Sequence, residues 1–207
     1  IHNMLTKEQL NIFSVFKKNI FASLTFKQIK QGSKQKSNSV VQLALKEFKN
    51  HNLVKIKETG YVKTYSLNLD NNLTLAYLNL INDTEIGKSK IPKWIVENIK
   101  NKMFKYTEFF ILIVFGSYAN GKATQKSDFD IAIIVESEQT RKEIAPYLET
   151  IKRREIIQID YHVFTRIEFL DMLKADLENI GKQIFKSGII YYGCIPYYHL
   201  IKERRNE

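Results

Sequence analysis

The sequence predicts an α+β protein in two parts, residues 1–83 and 84–207, and three observations lead there. Residues 6–50 hold three helical stretches, each opened by a Ser or Thr. A hairpin pattern follows over 53–67. Farther on, apolar strand-like runs at 109–115, 131–135 and 155–164 are interleaved with helical spacing, the pattern of a sheet flanked by helices.

Thr6-Lys7-Glu8-Gln9 has the form of a capping box, in which the Thr and Gln side chains satisfy free backbone N–H groups. Ile12, Phe13, Phe16 and Ile20 follow at helical spacing, so a first helix is expected over about 6–20. Thr25-Phe26-Lys27-Gln28 repeats the box and opens a short helix, broken by Gln31-Gly32-Ser33. Ser37-Asn38-Ser39 caps a third helix with Val41, Leu45 and Phe48 on one stripe, Val40 and Ala44 beside it, and His51-Asn52 at its end. The hairpin is Leu53–Lys57, a turn at Glu58-Thr59-Gly60, and Tyr61–Leu67. Leu73, Leu75, Tyr77, Leu78 and Leu80 predict a helix that packs on the hairpin or on a second copy. The polar run Asp83–Lys90 predicts a linker. Pro92 opens a helix to Met103 with Trp94, Ile95, Ile99 and Met103 as its apolar stripe.

The stretch that carries chemistry begins at Phe109–Phe115, a strand that runs directly into Gly116-Ser117. Ten residues later, Asp128-Phe129-Asp130 opens a second apolar strand, Ile131–Val135. A small turn that bares backbone N–H groups can hold phosphate oxygens. Carboxylates at i and i+2 on a strand edge face the same way, because side chains alternate. Together they supply the parts for metal-assisted transfer from a nucleoside triphosphate. In 155–164, Ile157, Ile159, Tyr161 and Val163 alternate with Gln158, Asp160 and His162. Thr165-Arg166-Ile167-Glu168 is another capping box, leading into helices through Lys186.

Composition sets the outer limits. A hydrophobic share of 44% with 12% aromatics marks a folded chain. No apolar run reaches the roughly 20 residues of a membrane helix, so no membrane partner is expected. Ile1-His2-Asn3-Met4 lacks the features of a signal peptide, and Met4 is a candidate native start. The single cysteine, Cys194, cannot form an intrachain disulfide and fits a packing role in a reducing cytoplasm. Of the net charge of +10, residues 1–83 carry +7, from 12 Lys against 5 Asp and Glu. Such asymmetry points to a polyanionic partner, although lysine also serves solubility alone.

Two resemblances follow from these residues. Gly116-Ser117, ten residues, then Asp128-Phe129-Asp130, with Asp160 on a later strand and the short segment Lys186–Gly193, resembles the polymerase-β-like nucleotidyltransferases, in particular their minimal group, over about residues 92–193. Three helices followed by a hairpin resemble the winged helix-turn-helix module of bacterial and archaeal regulators.

The first resemblance implies a mixed sheet flanked by helices and an Mg²⁺-dependent enzyme that uses a nucleoside triphosphate, ATP as first choice. Asp128, Asp130 and Asp160 would be catalytic and metal-holding, while Gly116 and Ser117 would bind the nucleotide phosphates. The acceptor would be a hydroxyl, and members of this group act on small helical ribonuclease toxins, so an antitoxin that modifies a toxin-like protein is implied. No Arg-x(4–6)-His motif of such a toxin occurs in the chain. The second resemblance implies DNA contact through Asn38, Ser39, Gln42 and Lys46, with Lys49 beside them and Lys55, Lys57 and Lys63 on the wing; a homodimer is expected by analogy.

Other readings stay open at this point. Asp128 and Asp130 fit a structural turn, Asp160 fits a solvated strand face, and Ser117 fits a helix cap. Residues 1–83 also suit RNA contact or a protein-binding platform. A transferase-like domain that senses nucleotide without turning it over, attached to a DNA-binding regulator, is the competing function.

Overall fold

The computed structural model describes residues 4–18 and 20–204. The chain divides into two compact units, residues 1–81 and 82–207. Ile1, His2 and Asn3, the start of the stretch read for targeting, lie outside the described residues, as does Asn19.

In the first unit, α1 (Lys7–Lys17) is capped by Thr6, with both hydrogen bonds of the capping box made. α1 ends at Lys17, short of the expected Ile20, which is nonetheless buried. β1 (Leu24–Thr25) precedes α2 (Phe26–Gly32), whose capping box on Thr25 is also complete. α3 (Asn38–Asn50) buries Val41, Ala44, Leu45 and Phe48. Phe13 lies edge-on to Phe48 at 5.1 Å, and Phe16 packs near both rings. Each fully buried aromatic of this kind contributes on the order of 1.5–3 kcal/mol.

β2 (Val54–Thr59) and β3 (Val62–Leu67) form the antiparallel hairpin. Thr59 pairs with Val62, so the connection is Gly60-Tyr61, and Glu58 and Thr59, expected in the turn, belong to the strand. β1 adds a third strand against β3, giving the order β1-β3-β2. Two residues are too short to leave a periodic signal, which is why the sequence did not disclose β1.

α4 (Asn72–Lys88) corrects the linker reading of Asp83–Lys90. Glu85 and Lys88 are good helix formers, and a polar run suits a solvated helix face as well as a loop. The break comes only at Ser89-Lys90, ahead of Ile91-Pro92. Leu80, counted in the apolar stripe, is exposed, whereas Leu75, Tyr77 and Leu78 are buried.

In the second unit, α5 (Lys93–Met103) buries Ile95, Val96, Ile99 and Met103. Trp94 is 54% exposed, and Val96 takes the place expected for it. The sheet has the order β6-β5-β4-β7. β4 (Phe110–Val114) runs antiparallel to β5 (Phe129–Val135) and to β7 (Ile189–Tyr192), while β6 (Ile159–Thr165) runs parallel to β5. The strand expected from Glu155 therefore starts at Ile159, because pairing begins at Phe129 with Ile159 and residues 155–158 join α7 (Glu138–Arg154) to β6.

All of β4 and all but Asp130 of β5 are buried, as befits central strands covered on both faces. One face carries Leu112, Val114, Ile131, Ile133 and Ile159 against Ile95, Ile99, Ile144 and Leu148 of α5 and α7. On the other face, Phe164 meets Phe169 of α8 (Arg166–Lys174), which meets Tyr197 of α10 (Cys194–Glu203). α9 (Ile180–Ser187) leads through Gly188 into β7. The outer edge of β7 is closed by Asn82: the Ile190 N–H donates to its Oδ1 at 3.1 Å, and its Nδ2 donates to the Ile190 carbonyl. Cys194 is buried, in keeping with a packing role. Among the described residues no helix is long and apolar enough to cross a membrane.

Candidate active site

The site forms where β4 ends. Gly116–Ala119 make one helical turn, α6, entered from Phe115 in extended backbone. Gly116 has φ +65, a conformation L side chains rarely adopt, and its α-carbon lies hard against Asp130. A Cβ built there would sit 1.9 Å from Asp130 Oδ2, so any other residue would strain the backbone and displace the Asp130 carboxylate. The Ser117 backbone N–H lies on the side of the Asp130 carboxyl and favours its charged form. Ser117 Oγ is buried and has no hydrogen-bond partner. Tyr118 packs edge-on against Phe129 at 5.0 Å, which anchors the turn to the core and gives Tyr118 a packing role.

The ten-residue connection to Asp128 is held by local bonds. The Lys122 N–H donates to Ser117 O at 2.9 Å, and the Ser127 hydroxyl accepts from the Thr124 N–H at 2.9 Å. Lys122 and Lys126 face solvent.

Asp130 and Asp160 are direct partners across the parallel β5–β6 pair, so both side chains leave the same face of neighbouring strands. Asp128 precedes β5 at the i−2 position and is exposed. Burial, then the charges of Asp160 and Asp128, push the Asp130 carboxyl above its ordinary value, while His162 and the Ser117 N–H pull the other way. Three carboxylates thus share one electrostatic neighbourhood, a mark of functional sites.

Their convergence on one point is not reached. Among the described residues no group of three His, Cys, Asp or Glu side chains is gathered to hold a metal ion. Each acid has another neighbour: Asp130 lies against Gly116, Asp160 lies 3.3 Å from His162 Nε2, and Asp128 faces solvent. The donor chemistry still fits a hard divalent cation. All three groups are carboxylate oxygens, and Asp130 and Asp160 stand opposite each other on adjacent strands about 4.8 Å apart. Mg²⁺ in particular is commonly held by one or two carboxylates plus substrate phosphates instead of a complete protein cage.

In the first unit Asn38, Ser39, Gln42, Lys46 and Lys49 are all exposed on α3, and Lys55, Lys57 and Lys63 on the hairpin. Asn38 Oδ1 accepts from Lys30 Nζ at 2.6 Å, Lys55 pairs with Asp70, and Lys63 pairs with Glu58. What the sequence did not disclose is the Ser117–Asp130 contact and the His162–Asp160 pair. The second had a visible signal, a histidine two residues after an acid on the same strand face.

Residues 97–193 match a family model. Its description is polymerase beta, nucleotidyltransferase. Gly116, Ser117, Asp128, Asp130 and Asp160 all lie inside the matched stretch, and the mixed sheet flanked by helices fits a polymerase-β-type domain. A nucleotidyltransferase-type function is therefore supported for this domain. Neither the curated proteins nor the solved structures give a match to the chain.

Proposed function

We propose that the second unit transfers a nucleoside monophosphate from a nucleoside triphosphate, ATP first, to a hydroxyl acceptor, and that the first unit is a winged helix-turn-helix that holds DNA. The observation that carries the transfer reading is the Gly116–Ser117 turn lying against Asp130 with the Ser117 hydroxyl buried and unpaired. An unpaired buried hydroxyl costs about 1–3 kcal/mol, and a phosphate oxygen is the acceptor such a turn suits.

Asp128, Asp130 and Asp160 would hold Mg²⁺, which would supply charge neutralisation for the triphosphate and the departing pyrophosphate. The Ser117 N–H and Oγ hold phosphate oxygens. Gly116 allows the nucleotide close to the backbone. Asp160 orients the acceptor hydroxyl and takes its proton as the acceptor oxygen bonds to the α-phosphorus and the α–β bridging bond breaks. The acceptor we favour is a hydroxyl on a small toxin-like protein, which makes the chain an antitoxin.

In the DNA reading, α3 lies in the major groove. Asn38 and Gln42 are suited to pair with adenine, Ser39 to either kind of base or to phosphate, and Lys46 to phosphate. A homodimer would place two such helices on a two-fold operator.

Purified chain, labelled ATP, CTP, GTP or UTP, Mg²⁺ and candidate acceptors test the transfer. Label transfer and pyrophosphate release are expected. If Asp128→Ala plus Asp130→Ala leaves them intact, the site is wrongly assigned. A second reading is favoured by the acids' separate orientations: a DNA-binding regulator that senses nucleotide without consuming it. Nucleotide-dependent DNA affinity with no pyrophosphate release would favour that alternative.

A further inference from the structure

His162 stands two residues beyond Asp160 on the same face of β6. Its partner on β5 is Ala132, whose small side chain leaves the imidazole room over the sheet. On one side the ring is offset-stacked on Phe164, with planes 3° apart and centroids at 6.0 Å. On the other it meets Phe115 at 5.9 Å, tilted by 51°. Two aromatic contacts within the usual range of such pairs restrict how the imidazole can turn. Held so, it presents Nε2 to Asp160 Oδ2 at 3.3 Å. A carboxylate oxygen accepts and an imidazole N–H donates, so in the tautomer protonated at Nε2 this contact is an Nε2–H···Oδ2 hydrogen bond.

Asp160 needs such a holder more than its neighbour does. Its side chain is 50% exposed, whereas Asp130 is tied to the Gly116–Ser117 turn. A half-solvated carboxylate samples several rotamers, and only some of them aim at the turn where a nucleotide would bind.

We infer that His162 is a positioning residue: clamped between Phe115 and Phe164, it donates Nε2–H to Asp160 and fixes the carboxylate that serves the acceptor hydroxyl. This rests on the transferase reading above for its consequence, although the contact itself does not. It assigns no proton transfer to the imidazole; a neutral Nε2–H donor is sufficient. Outer partners of this kind typically change metal affinity or activity by about 10–100-fold when removed.

The first test needs no activity. The ¹⁵N shifts of the His162 ring in the full chain should show the Nε2–H tautomer, and Asp160→Ala should shift the population toward Nδ1–H. A bare Nε2 in the wild-type chain overturns the inference. The second test compares His162→Leu, which fills the gap but cannot donate, with His162→Gln, which reaches Asp160 with an amide N–H. Transfer kcat and Mn²⁺ affinity, the latter by calorimetry, are measured for each beside its thermal midpoint. His162→Leu should lose about 10–100-fold in kcat or Mn²⁺ affinity, with the KM for the triphosphate little changed, and His162→Gln should regain most of it. Equal values for wild type and His162→Leu, or no rescue by His162→Gln when both variants are folded, overturn the inference. Transfer that survives Asp128→Ala plus Asp130→Ala instead removes the active-site assignment, whereas no transfer by the wild-type chain removes the transferase reading; in either case the ring tautomer and the Mn²⁺ affinities still decide the role of His162.

Discussion

Gly116→Ala separates the two consequences of placing a side chain beside Asp130. At φ +65 an alanine adopts the left-handed region at about 1–2 kcal/mol. A loss of 1 kcal/mol lowers the midpoint by about 2–4 °C for chains of this size, so a drop of about 2–8 °C is expected from the backbone alone. The added methyl also meets Asp130 Oδ2 at 1.9 Å, where ordinary contact begins at 3.4 Å, so the oxygen must retreat by the difference, roughly 1.5 Å. A displacement of about 1 Å at a reacting centre can cost about 10²-fold. Gly121 is the matched control: its φ is +68, and nothing lies within 4 Å of a Cβ built there. Gly121→Ala should show a similar fall in midpoint and keep transfer, whereas Gly116→Ala should lose about 10²-fold in kcat. Near-normal turnover in Gly116→Ala, or equal losses in both variants, would refute the argument that this glycine exists to admit the Asp130 carboxylate.

Asp130→Asn should abolish transfer and raise the thermal midpoint at pH 7. With the folded carboxyl held above its ordinary value, the unfolded chain ionises first. The penalty is therefore absent below the unfolded pKa, near pH 4, grows as pH rises to the folded value, and persists above it. The gain should shrink at pH 3, and a lower midpoint at pH 7 would count against the electrostatic reading. Asn82→Ala leaves the N–H and carbonyl of Ile190 without the partner they have now, and each unpaired buried group costs about 1–3 kcal/mol; an unchanged midpoint would show that water replaces the amide. For DNA, Lys46→Ala should reduce the salt dependence of binding by about one phosphate contact, and Gln42→Ala should weaken discrimination among operator sequences. If both variants bind as wild type does, α3 is not the reading helix.

The features legible in the sequence were those set by neighbours along the chain. Thr6, Thr25 and Thr165 each close a capping box with the residue three positions on, a rule that needs no tertiary information. β4 is an unbroken apolar run because both its faces are covered. The spacing from Gly116-Ser117 to Asp128-Phe129-Asp130 was visible for the same reason. β1, the start of β6 and the exposure of Trp94 were not visible, since each depends on which distant strand or helix comes alongside. Asn82 and Ile190 are 108 residues apart, and no local pattern announces that a side-chain amide will stand in for a missing strand. The linker reading failed in the opposite way, through too much weight on polarity: Asp83–Lys88 continues α4, with Ile86 packed against the core and Asp83, Thr84, Gly87 and Lys88 exposed.

The deeper difference lies in the acids. Residue types and spacing said which carboxylates share a face, and the register of Asp130 with Asp160 agrees with that geometry. They could not say which way each side chain turns, because that is decided by competition among hydrogen bonds. In this fold Asp130 lies against Gly116 and Asp160 meets His162, an arrangement that eases the repulsion between the two carboxylates. A divalent cation that drew both carboxylates in would move Asp130 away from the Gly116–Ser117 turn, where the buried Ser117 hydroxyl is already unpaired. Nucleotide and cation affinities should therefore rise with each other, each being measured by calorimetry in the presence and absence of the other. Independent affinities would mean that Asp130 does not gate the turn.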